Sequence, residues 1–108
     1  MTTQPPIACS LTASQLPVRL AEIAALGADA LLDAHQHGTR AELRFTPGAA
    51  VRERVDAIVA AEARCCAFLA MRVTDAPGAV RLSIDAPAAA EPVLREMLAA
   101  FRGARPAG

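Results

Sequence analysis

Two short stretches of this chain alternate apolar and polar residues with a period of two. Ala41, Leu43 and Phe45 interleave with Glu42, Arg44 and Thr46; Val80, Leu82 and Ile84 interleave with Arg81, Ser83 and Asp85. Successive side chains of a strand point to opposite faces, so each stretch is a strand with one face buried and one in water. On a helix the same residues would scatter around the whole circumference. The pattern therefore dictates a sheet with one covered face.

Each of these strands has a partner across a short break. Residues 29–36 and 40–46 flank "HGT", and "FLAMRVT" (68–74) and "AVRLSID" (79–85) flank "DAPG", whose Pro-Gly pair is strong turn chemistry. Short links join antiparallel neighbours, which predicts a four-stranded antiparallel sheet. Helical spacing fills the intervals. Leu16, Leu20, Ile23 and Ala24 mark a helix from about Ser14 to Leu26, closed by Gly27. Thr12 or Ser14 would cap its start, and Pro17, tolerated only in a first turn, favours Ser14. The longest helical stretch covers 49–67, after "TPGAA", and a last helix over 88–102 buries Val93, Leu94, Met97, Leu98 and Phe101.

The order αββαββα predicts an α+β fold, a two-layer sandwich with the helices on one face of the sheet. Glu42, Arg44, Arg72 and Arg81 then face solvent on the other side, unless a second subunit covers them, as in a homodimer. "GTRAELRFTPGAA" is echoed about 40 residues later by "GAVRLSIDAPAAA" with a one-residue gap, which points to an internal duplication. Residues 1–10, with Pro5 and Pro6, form a flexible lead-in, 11–102 a single domain, and 103–108 a frayed tail.

Composition narrows the function. Apolar residues make up 54% of the chain, eleven basic residues balance eleven acidic ones, and all the basic ones are arginine. Zero net charge with scattered signs, and three Phe as the only aromatics, give no support to nucleic-acid binding. No apolar run approaches the roughly 20 residues of a membrane helix, and "MTTQPPIACS" lacks the features of a secretory signal. The expected location is the cytoplasm, where the three cysteines stay reduced. There is no P-loop, G-x-G-x-x-G, G-x-S-x-G or H-E-x-x-H motif, and no organic cofactor is implied.

The 49–67 helix carries the unusual chemistry. At about 100° per residue, Val51, Val55, Ile58 and Val59 form an apolar stripe that continues to Glu62, then to Cys65 and Cys66 on either side of it, then to Leu69. Glu53, Arg54, Asp56, Ala60 and Arg64 fall outside it. A carboxylate on a buried stripe must be paired, protonated or bound to a cation. Arg72 or Arg81 are candidate salt-bridge partners. Adjacent cysteines on a helix lie about 3.8 Å apart at Cα, too close for a relaxed disulfide with each other. Their thiolates suit soft ions such as Hg(II), Cu(I), Zn(II) or trivalent arsenic. Glu62 adds a third ligand, and Cys9 a further sulfur if its segment packs nearby. The blander reading is that the cysteines are ordinary core, since thiols are commonly buried. His35 and His37 share a strand face with Asp33, opposite Ala30, Leu32 and Ala34, and are read as solvated hairpin residues rather than ligands.

"IVAAEARCCAFLAMRV", with "IACSLTASQLPVRLAEIAALGADALL" upstream, resembles a group of small bacterial proteins carrying E-x-x-C-C-x-F-L. In that group the motif also occurs fused to, or encoded beside, MerR-type metal-responsive regulators. The likeness spans most of 7–101, and its distinctive residues are Cys9, Glu62, Cys65, Cys66, Phe68 and Leu69. Where the group commonly has proline after the second cysteine, this chain has Ala67. The group has no settled activity; the resemblance implies a link to heavy-metal response and a MerR-type regulator as partner.

The expectation is thus a protein that binds a thiophilic metal or metalloid through Cys65 and Cys66. Glu62 would be a ligand or a proton acceptor, and Cys9 a third sulfur. The alternatives are a thiol-dependent redox protein or enzyme using Cys65 or Cys66, with Glu62 as base, and an interaction module or homodimer with structural cysteines.

Overall fold

The computed structural model describes residues 15–65 and 68–103. Within them the chain forms α1 (Gln15–Ala30), β1 (Leu31–His37), β2 (Arg40–Phe45), α2 (Ala49–Cys65), β3 (Ala70–Ala76), β4 (Ala79–Asp85), a 3₁₀ turn at Ala88–Ala90 and α3 (Glu91–Phe101). The strands make one antiparallel sheet in the order β1-β2-β4-β3. The fold is α+β with the expected order, and the helices pack on the sheet. Among the described residues no helix is long and apolar enough to cross a membrane. The lead-in 1–10, the caps expected at Thr12 or Ser14, and residues 104–108 of the tail lie outside the described residues.

The period-two pattern does what it dictates. Ala41, Leu43, Phe45, Val80, Leu82 and Ile84 are all buried under the helices. Their neighbours Arg40, Glu42, Arg44, Arg72, Arg81 and Asp85 lie on the exposed outer face. Phe101 of α3 meets Phe45 edge-on, with ring centroids 5.6 Å apart.

Both hairpins turn on two residues, and in each a glycine takes positive φ: Gly38 at 59° and Gly78 at 72°. Gly38 is the first residue of its turn and Gly78 the second, which explains the one-residue gap between the two echoing segments. Laying the first hairpin on the second, Leu31 on Ala70 and Arg40 on Ala79, carries Leu43 onto Leu82. These two residues are paired with each other in the β2–β4 ladder. An approximate twofold axis therefore passes through them, the geometry of a doubled ββα unit. In keeping with it, α2 leaves β2 to pack over β3, and α3 leaves β4 to pack over β1.

Four local expectations need correction. Gly27 does not end α1, which runs on to Ala30. The glycine is buried instead at the crossing with α3, where an added Cβ would lie 1.7 Å from the Phe101 carbonyl oxygen. Leu20, expected in the apolar stripe, is 40% exposed, because the inward face of α1 is rotated towards Ile23, Leu26 and Ala30. Leu32, expected to share the core side with Ala34, is 49% exposed. Leu31 pairs with Phe45 and Asp33 with Arg44, so Leu32 is the extra residue of a β-bulge and the alternation slips there. On α3, Leu94, Met97, Leu98 and Phe101 are buried as expected, whereas Val93 is only half-buried.

Candidate functional site

On α2 the buried Val55 and Ile58, flanked by half-buried Val51 and Val59, lead one turn further to Glu62. Glu62 is 3% exposed and is the one charged residue in the core among the described residues. Burying a carboxylate costs several kcal/mol unless an opposite charge and hydrogen bonds replace its water. That partner is Arg19 of α1. Its Nη1 donates to Oε1 of Glu62 at 3.0 Å, and its own side chain is 16% exposed. Among the described residues no buried side-chain oxygen or nitrogen lacks a hydrogen-bond partner. The carboxylate is engaged, not idle.

Arg72 and Arg81, the partners considered from sequence, do not make this pair. Strand alternation sends both to the outer face of the sheet, away from α2. Arg19 was missed although a signal existed. It falls at helical spacing with Ile23, Leu26 and Ala30, so the inward faces of α1 and α2 each carry one charge, of opposite sign.

Glu62 stands three residues before Cys65, the last residue of α2. Arg64 in the same last turn places a positive charge where the helix dipole favours one. Beyond the helix, Leu69 is buried and half-buried Phe68 packs against the core. Cys66 and Cys9 lie outside the described residues, as does the side chain of Cys65. The structure thus places Glu62, its cation and the helix end, and leaves the expected meeting of sulfurs as an expectation. Among the described residues no group of three or more His, Cys, Asp or Glu side chains is placed to hold a metal.

His35 and His37 are exposed on the outer face. His35 Nε2 lies 3.8 Å from Asp33 Oδ1. Asp33 is held more closely by Arg44, whose Nε donates to Oδ2 at 2.9 Å while its Nη2 contacts the same oxygen. Arg44 holds the Asp33 carboxyl below the usual aspartate value, chiefly through these hydrogen bonds. On the same face Arg40 Nε donates to Asp85 Oδ1 at 2.9 Å.

No family model matches this chain, and neither does a curated protein or a solved structure.

Proposed function

We propose that this protein binds a thiophilic metal or metalloid ion through the vicinal pair Cys65–Cys66, as part of a metal response or resistance system. The observation that carries the reading is the buried Glu62, salt-bridged to Arg19, in the turn of α2 that leads into both cysteines. The buried pair ties the last turn of α2 to α1, three residues before the vicinal cysteines in the sequence. Soft thiolates select soft ions. For a metal cation, binding replaces two S–H bonds by two metal–sulfur bonds and releases two protons to solvent, so it strengthens as pH rises; with arsenite the two protons leave with two arsenic-bound hydroxyls as water. Cys9 would be a third sulfur. A reducing compartment such as the cytoplasm would keep the thiols free, and the E-x-x-C-C-x-F-L resemblance supports a MerR-type regulator as partner.

Native mass spectrometry of the reduced protein with Hg(II), Cu(I), Zn(II) and arsenite tests the proposal. One ion retained per chain, and lost in Cys65→Ser and Cys66→Ser, is the expected result. Equal retention by wild type and a Cys65→Ser/Cys66→Ser double variant would refute it.

A further inference from the structure

The outer face of the sheet carries two copies of one short pattern, Arg72-Val73-Thr74 on β3 and Arg81-Leu82-Ser83 on β4. In the antiparallel ladder Val73 pairs with Leu82, Arg72 with Ser83 and Thr74 with Arg81. Alternation turns Val73 and Leu82 towards the helices and the other four residues outward. Arg72, Thr74 and Arg81 are exposed, and Ser83 is half-buried. The four make a quartet, with an arginine at each end of one diagonal and a hydroxyl at each end of the other. Directly opposite side chains start about 4.5–5.5 Å apart and diagonal ones about 7–8 Å apart, so both arginines can close on one small group.

Every member of the quartet can donate a hydrogen bond, and none is an acid. Among the described residues neither Arg72 nor Arg81 pairs with a carboxylate, whereas Arg40 and Arg44 on the same face are held by Asp85 and Asp33. The register also sets Arg81 directly opposite Arg44 across β2 and β4. Like charges so placed cost stability unless something negative comes between them. The other hairpin supplies the contrast. Under the overlay that carries Leu43 onto Leu82, the equivalent positions are Asp33, His35, Glu42 and Arg44, joined in the same two cross-strand pairs. There the Asp33–Arg44 ion pair compensates the set from within. Where the first hairpin has Asp33 and Glu42, the second has Arg72 and Arg81, and its counter-charge is left to come from outside.

We propose that Arg72, Thr74, Arg81 and Ser83 form a binding site for a tetrahedral oxyanion of the phosphate type, free or as a monoester of a small molecule. Guanidinium forks match the edges of a phosphate group, and their hydrogen bonds to it are charge-assisted. The two hydroxyls donate to its remaining oxygens. Because the face is open, the rest of an ester stays in water. Glu42 faces Ser83 from β2 and weakens the positive field there, so the affinity is modest. The site draws no residue from the cysteine region, and it stands or falls independently of metal binding.

Amide NMR spectra of the isotope-labelled, reduced protein test this while sodium phosphate, or in a second series glycerol phosphate, replaces sodium chloride at constant ionic strength. Holding ionic strength fixed removes general screening as a cause of any change. The expected result is a saturable shift centred on residues 72–74 and 81–83, with a Kd in the millimolar range or tighter. Arg72→Gln and Arg81→Gln should each weaken binding roughly tenfold. Arg81→Lys should weaken it less, since it keeps the charge and loses only the fork. Arg40→Gln takes the same charge from the same face but beyond the quartet, and should change binding by less than about twofold. All three arginines are exposed, so each variant should keep the dispersed spectrum of the folded protein. Tighter binding of free phosphate or of the ester names the occupant, and either upholds the site. Shifts that do not saturate or that scatter over the molecule overturn the inference. So does a loss in Arg40→Gln equal to that in the Arg72 and Arg81 variants, because the face would then act only as a diffuse positive field.

Discussion

Arg19 of α1 and Glu62 of α2 form a buried salt bridge that joins two helices by their inward faces, with Nη1 3.0 Å from Oε1. Removing Arg19 leaves the Glu62 carboxylate buried without this cation. Arg19→Met alone should therefore destabilise the fold by about 3–5 kcal/mol, and Glu62→Leu alone should also destabilise it by removing the pair that joins the helices. The double variant Arg19→Met/Glu62→Leu should recover most of the Arg19→Met loss, because it removes the buried carboxylate as well. Urea unfolding of the four proteins measures the coupling. Additive single effects would mean that the two side chains do not depend on each other.

Gly27 offers a test whose sign is opposite to intuition. Helix propensity alone favours alanine over glycine in a helix interior by about 1 kcal/mol. The close Phe101 carbonyl, however, leaves no room for a Cβ without moving α1 from α3. Gly27→Ala should thus destabilise by about 1–3 kcal/mol, as overpacking does. A gain in stability would contradict the close helix crossing.

Asp33 gives the pH dependence. Its ordinary value is 3.8, and hydrogen bonds from Arg44 hold it lower in the folded state. A depressed folded value makes its contribution full above 3.8 and lost as pH falls through the folded value. The stability difference between wild type and Asp33→Asn should therefore be largest near neutrality and close in acid. Urea midpoints of both proteins across that range read it, and a gap that does not narrow in acid would contradict the Asp33–Arg44 pairing.

The outer-face histidines should not matter for ion binding. His35 and His37 point away from α2, so replacing both by alanine should leave affinity within a few-fold. A loss of tenfold or more, about 1.4 kcal/mol, would place them in the site.

How far the sequence discloses the molecule depends on the range of the interaction. Strand alternation at Ala41–Phe45 and Val80–Ile84, and the turn glycines, are local signals, and they gave the sheet, its antiparallel sense and its two faces. The burial of Glu62 was equally legible, since it follows from counting along one helix. Its partner was not. Arg19 and Glu62 are far apart in the chain, and which of eleven arginines meets the carboxylate is decided by how α1 docks on α2. The same holds for Gly27, which looks like a helix terminator until α3 is laid across it. The bulge at Leu32 was hidden because Leu31 and Leu32 are adjacent and both apolar, so hydropathy does not say which of them faces inward.

The central claim, that the vicinal cysteines hold a soft ion, is tested most directly by adding Hg(II) to the reduced protein and following mercury–thiolate absorption in the ultraviolet. Wild type should titrate to a sharp end point with proton release. Cys65→Ser and Cys66→Ser should each lose most of the affinity, because a hydroxyl is a hard and poorly ionised ligand. Glu62→Gln should lose less than either. An unchanged end point and affinity in the Cys65→Ser/Cys66→Ser double variant would contradict the account.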